Sequence, residues 1–93
     1  MKLKKGDKVI VKHTLTIVHR GKPPTDRYMK GDYGYIIDED CGGGKWVSFH
    51  KHNGELNDGK TARAMLEVPD TYLLRVPKKS SWEDVNALAH LVV

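Results

Sequence analysis

With one cysteine, Cys41, in 93 residues, the chain has no internal disulfide and cannot ligate an iron–sulfur cluster by itself. Glu39 and Asp40 stand beside Cys41, and nearby carboxylates disfavour the thiolate, so it reads as a loop thiol without a role. No apolar run approaches the roughly 20 residues needed to span a bilayer, so no membrane partner is expected. Met1-Lys2-Leu3-Lys4-Lys5-Gly6 is basic with no apolar stretch behind it, so neither a secretory signal nor a transit peptide is expected. A cytoplasmic, cytosol-like setting is the resulting expectation.

Catalytic patterns are also missing. Gly42-Gly43-Gly44 is not followed by the Gly-Lys-Ser/Thr that would open a helix beneath a phosphate. Asp38-Glu39-Asp40 sits in an expected hairpin turn with no flanking base or nucleophile. His50 and His52 put two imidazoles two residues apart, but His13, His19 and His90 are far off, and two ligands do not make a metal site. No serine, cysteine and histidine constellation suggests nucleophilic catalysis. The expectation is therefore no enzyme, no cofactor and no metal, with an enzyme using His50, His52 and Cys41 kept only as a remainder.

What is present is a pair of matched signals. Lys5-Gly6-Asp7-Lys8-Val9-Ile10-Val11 and Lys30-Gly31-Asp32-Tyr33-Gly34-Tyr35-Ile36 each put a glycine and a short acid at a turn, then run on as β-favouring residues. Gly34, inside the second run, marks a bulge, a bend or a close backbone approach. Two such strands are how small SH3-like barrels begin. A chain of this length buries somewhat over roughly 60% of its unfolded surface, enough for one thin core but no deep cleft.

Alternation from Lys8 to Val18 predicts one long strand, bent near His13, with Val9, Val11, His13, Leu15 and Ile17 on one face. Residues 19–26, with Gly21, Pro23 and Pro24, read as a loop. Tyr33–Asp38 and Lys45–His50 read as a hairpin, residues 50–60 as a second long loop, and Thr61–Val68 as a fourth strand. Thr71–Val76 closes the set before Pro77. Ser81 then caps a helix, with Asp84 placed to return the bond. Val85, Leu88, Ala89 and Val92 recur at helical spacing, so the helix is expected to cover an open end of the barrel, anchored by Trp82. The fold expected is mainly β, a small five-stranded SH3-like barrel (residues 1–77) with a linker and C-terminal α-helix (78–93).

The net charge of +4 hides an asymmetry. Residues 1–30 hold nine Lys/Arg against two Asp/Glu, and residues 31–93 hold seven against ten, so the positive charge is concentrated early. Such a patch steers anionic partners, although lysines also simply solvate an edge strand. The candidate binding residues are Lys4, Lys5, Lys8, Arg20, Lys22, Arg27 and Lys30, with Tyr28 and Trp46 as aromatic anchors; Tyr35 and Val47 are expected in the core. Aromatics among basic side chains suit a protein hot spot, and they also suit stacking on nucleic-acid bases.

Residues Gly6 to His19, the proline-bearing loop and Lys30-Gly31-Asp32-Tyr33-Gly34-Tyr35-Ile36 resemble the variable chain of ferredoxin–thioredoxin reductase. That chain belongs, with a small accessory protein of photosystem I, among the SH3-like electron-transport accessory proteins. The resemblance covers roughly residues 5 to 50. It implies a barrel without a cofactor that packs on a larger catalytic subunit or docks where an acidic protein visits, in a cytoplasmic or plastid stroma-like compartment. Gly31 to Asp38 also resembles a KOW element, which implies nucleic acid as the alternative partner.

Overall fold

Each Lys-Gly-Asp motif folds into the same tight turn. In Lys4–Asp7 the Asp7 N–H donates to the Lys4 carbonyl (3.0 Å), and the Lys4 N–H donates to Asp7 Oδ2 (2.8 Å). In Met29–Asp32 the equivalent bonds measure 2.9 and 2.8 Å. Gly6 and Gly31 take φ of 91° and 98°, the left-handed value this turn demands of its third residue. Both carboxylates are buried, and their return bonds remove two donors that would otherwise lie unpaired at the strand entrances.

A computed structural model describes residues 3–17, 26–39, 45–56, 62–66 and 70–92. Arg20, Lys22, Cys41, the Gly42–Gly44 run and the loop prolines Pro23 and Pro24 lie outside them. The elements are β1 (Lys8–Val11), β2 (Leu15–Ile17), β3 (Asp26–Tyr28), β4 (Tyr33–Glu39), β5 (Lys45–His52), β6 (Glu55–Leu56), β7 (Ala62–Leu66), β8 (Leu73–Val76) and α1 (Trp82–Val92). The molecule is mainly β. Antiparallel pairings run β7-β5-β4-β1-β8, so the last strand returns to the first, and β6 pairs with the far end of β5. No helix among the described residues is long and apolar enough to cross a membrane.

β1 lies between β4 and β8, which explains why Val9, Ile10 and Val11 are all buried. Alternation sends Val9 and Val11 inward to a core with Leu3, Tyr28, Ile36, Val47, Phe49 and Leu73. Ile10 points the other way, where Tyr33, Val76, Val85 and Ala89 form a second core, with Trp82 and Val92 against it. The helix therefore covers the outer face of the β4-β1-β8 sheet, not an open end of the barrel. Its start is capped as the sequence suggests: Asp84 N–H donates to Ser81 Oγ (3.2 Å), and Ser81 N–H donates to Asp84 Oδ2 (3.3 Å).

Three further expectations are corrected. The alternating stretch from Lys8 to Val18 is not one bent strand. The ladder leaves Val11 because Lys12 N–H donates to the Tyr72 carbonyl (2.8 Å) and Gly31 N–H donates to the Val11 carbonyl (2.9 Å); β2 then pairs with β3 in a separate two-stranded sheet. Residues 50–60 are not all loop. β5 continues to His52, and Asn53-Gly54, with φ of 55° and 81°, turns the chain into β6. The last strand begins at Leu73, after a single 3₁₀ turn over Asp70–Tyr72.

Candidate functional site

The two turns are related by a local pseudo-twofold axis through the Val9–Gly34 pair. Gly6 N–H donates to the Ile36 carbonyl (2.7 Å) and Ile36 N–H to the Asp7 carbonyl (2.9 Å). At the other end, Gly31 N–H donates to the Val11 carbonyl (2.9 Å) and Val11 N–H to the Asp32 carbonyl (2.8 Å). Lys8 pairs with Tyr35 and Ile10 with Tyr33, on either side of the Val9–Gly34 partners. The symmetry fixes where the early lysines go. Gly6 and Gly31 lie three residues from the axis in opposite directions, so the Lys4-Lys5 and Lys30 turns are about 20 Å apart at the rise of an extended strand. The candidate cations do not form one patch.

The Lys4–Lys5 end is the richer of the two. Because β8 runs antiparallel to β1, with Lys8 opposite Val76, the segment after β8 returns to the start of β1. Arg75 Nε lies 3.5 Å from Asp7 Oδ2, and Lys78 Nζ lies 3.9 Å from Asp7 Oδ1. Lys8 Nζ donates to the carbonyls of Lys78 (3.3 Å) and Ser80. Lys4, Lys5, Lys8, Arg75, Lys78 and Lys79 thus belong to the same end of the sheet, with Arg75 and Lys78 facing the buried Asp7 carboxylate. Glu83 and Asp84, in the first turn of α1, follow in the chain soon after the Ser80 carbonyl that Lys8 binds. Arg75 and Lys78 are drawn inward by Asp7. Lys4, Lys5 and Lys79 are exposed and make no ion pair among the described residues.

Trp46 is 39% exposed on β5. Its partner Asp38 lies beyond Ile36, so it stands at this same end of the ladder, two strands from β1. Lys30 is exposed at the opposite end, where its N–H donates to Thr14 Oγ1 (3.0 Å) near Lys12, and where the rings of His13 and Tyr72 meet edge to face at 5.2 Å. The Arg27 side chain lies outside the described residues. Tyr28 must be corrected: it is 1% exposed, and its ring packs in the barrel interior 5.1 Å from Phe49. A thin core has to be filled by large side chains, and Tyr28 is one of those turned inward. Val47 is buried as expected, whereas Tyr35 is only half-buried, on the outer face.

Arg75, Lys78 and Lys79 were not among the sequence candidates. Their signal was the basic pair directly after a last strand that must pair with the first.

His50 and His52, two residues apart on β5, have separate neighbours. His52 stacks near Phe49 (5.3 Å) and Tyr28 (5.1 Å). His50 stacks on Trp82 at 3.8 Å and 21°. Burial holds the His50 imidazole below its ordinary range, with the Lys8 charge adding to the effect. Burial raises the Tyr33 phenol above its ordinary value. Among the described residues, no three His, Cys, Asp or Glu side chains are placed to hold a metal ion. No protein-family profile, curated protein or solved structure matches the chain.

Proposed function

We propose that this chain is a non-catalytic binding module, an SH3-like barrel whose Lys4–Lys5 end docks an acidic surface of a larger protein partner. The observation that carries the reading is that β8 returns to the start of β1 and so brings residues 75–79 to Lys4, Lys5 and Lys8: Arg75 and Lys78 face the buried Asp7 carboxylate, and Lys8 binds the Lys78 and Ser80 carbonyls. Cations carried on a preformed backbone need no backbone ordering on binding, and they raise the rate of encounter with an anionic partner. Exposed Trp46 at the same end supplies the flat apolar contact that interface centres favour. The resemblance over residues 5 to 50 points to the same class, an accessory subunit of a larger complex such as a redox assembly.

The test compares the wild-type chain with the triple variant Lys4→Glu, Lys5→Glu, Lys79→Glu in affinity capture with and without nuclease, followed by salt titration of the captured complex. A stoichiometric protein that survives nuclease and is lost from the variant supports the reading. Loss of all captured material on nuclease treatment, with a log–log salt slope of about 0.9 per phosphate neutralised, would replace it with nucleic-acid binding.

A further inference from the structure

The contact between His50 and Trp82 joins the only described α-helix to the sheet. Trp82 is the first residue of α1, and its indole lies over a platform contributed by three strands. The ring centroids are 3.8 Å from His50 on β5, 6.0 Å from Tyr33 and 6.2 Å from Tyr35 on β4. From β1, Lys8 Nζ stands 5.1 Å from the same indole centroid. The ammonium is tethered there by the Lys78 and Ser80 carbonyls of the segment that leads into the helix. One half-buried indole therefore already carries one cation, and the group stacked on it is an imidazole.

We propose that His50 is an acid-sensitive fastening for α1: its protonation releases the first turn of the helix, with Trp82, from the sheet. An imidazolium stacked on the indole gains some cation–π attraction, but it must share that indole with the Lys8 ammonium and give up water in a half-buried place. The charged groups around it do not relieve this. Lys8 faces it from β1, and Lys78 and Lys79 precede the helix. Lys51 and His52 follow it on β5, and β4 presents the Tyr33 and Tyr35 phenols. Glu83 and Asp84 in the first turn of α1 are exposed, and Asp84 is already engaged by the Ser81 N–H.

The sign follows from the direction of the shift. Because the folded chain holds the His50 imidazole below its ordinary value, the fastening is complete above the ordinary histidine range. It is lost as pH falls through that range towards the lower, folded value. Beyond its first turn the helix keeps its own hold through the buried side chains of Val85 and Ala89, packed against Ile10, Tyr33 and Val76, so release starts at the Trp82 end. The fastening does not depend on the binding proposal, because its readout lies in the free chain.

The experiment is amide hydrogen exchange by NMR on the labelled full chain between about pH 7.5 and 5, around the ordinary histidine value. Wild type, His50→Gln and Lys8→Met are compared, and the His50 Cε1–H resonance is followed alongside. After correction for intrinsic exchange, wild-type protection at the Val85 amide, which closes the first turn on the Ser81 carbonyl, falls several-fold on acidification relative to Ala89 and to Val47 and Phe49 in β5, and the Trp82 indole resonance moves with the His50 titration. His50→Gln removes the pH dependence. Lys8→Met raises the His50 midpoint and shrinks the loss of protection. The proposal is overturned if His50 titrates at or above its ordinary value, if wild-type protection at Val85 is flat or rises with acid, or if His50→Gln keeps the wild-type pH dependence. Should His50→Gln fail to fold, the wild-type His50 midpoint and the helix protection decide between these outcomes by themselves.

Discussion

Asp7 and Asp32 close the same turn at opposite ends of the β1–β4 ladder, yet their carboxylates meet different chemistry. Asp32 accepts three backbone N–H bonds, from Met29 (2.8 Å) and Asn53 (2.7 Å) at Oδ2 and from Gly54 (3.0 Å) at Oδ1. Asp7 accepts one, from Lys4, while its buried Oδ1 takes no hydrogen bond among the described residues and faces Lys78 instead. The first carboxylate ties a hairpin to the barrel, and the second organises a group of cations.

That difference predicts an order of stabilities. Asp32→Ala leaves three donors to find other partners and loosens the Asn53-Gly54 turn, a loss of about 2 kcal/mol or more at the usual cost of unmade bonds to a charged group. Asp7→Ala releases one backbone donor and two partly exposed cations, so its cost is smaller, because exposed ion pairs contribute little. Urea denaturation of both variants measures the difference. An Asp7→Ala variant less stable than Asp32→Ala would show that the cation group, and not the hairpin tie, carries more of the fold.

Gly34 sits on the pseudo-twofold axis and tolerates no side chain. A Cβ there would lie 2.1 Å from the Ser48 carbonyl oxygen and 2.8 Å from the Phe49 Cα, both backbone atoms of β5, where the β4–β5 register shifts. Gly34→Ala is expected to destabilise by roughly 1–3 kcal/mol or more, and Gly34→Val by at least as much, since a strand must move to admit either. Gly6→Ala is the control: at φ 91° it is strained, but nothing lies within 4 Å, so its cost stays near 1 kcal/mol. Equal midpoints for Gly34→Ala and wild type in denaturant would contradict the close approach.

How much of this was legible in the sequence follows from the range of each signal. Ser81 and Asp84 lie three residues apart and announce the helix start by local chemistry alone, and the two Lys-Gly-Asp turns do the same for their strands. The break after Val11 was not legible, because it is imposed by Tyr72 and Gly31, partners far along the chain. Asn53-Gly54 carried a strong hairpin signal that its polar surroundings masked. For the candidate site, Lys4, Lys5 and Lys8 were visible as a run of charge. Their division from Lys30 depends on strand direction, and the contribution of Arg75, Lys78 and Lys79 depends on β8 returning to β1.

Ser48 provides a prediction of the opposite sign. Its side chain is fully buried, and its Oγ finds no hydrogen-bond partner among the described residues. Ser48→Ala removes that hydroxyl while keeping the backbone of β5, so it should leave stability unchanged or raise it by up to about 1 kcal/mol. Thermal unfolding at neutral pH checks this. A clear loss of stability would show that the hydroxyl has a partner, such as a bound water.

Tyr33 links the helix to the sheet at the other end of the pH scale from His50. It is 4% exposed, and its phenol O–H donates to Asn86 Oδ1 (3.2 Å) on α1. Burial raises its ionisation above the ordinary tyrosine value, so the folded chain holds the phenol proton more tightly than the unfolded chain does. Its contribution is complete below the ordinary value of about 10 and is lost as pH rises through that value towards the folded one. Lysines also titrate there, so the measurement is the difference between wild type and Tyr33→Phe. At neutral pH the variant is expected to be weaker by about 1 kcal/mol or less, the worth of one hydrogen bond. As pH climbs past about 9 the two stabilities should converge, because phenylalanine has no proton to lose. Parallel curves for the two proteins across the alkaline range would mean that the phenol ionises as freely in the folded chain as in the unfolded one, and that Asn86 does not hold its proton.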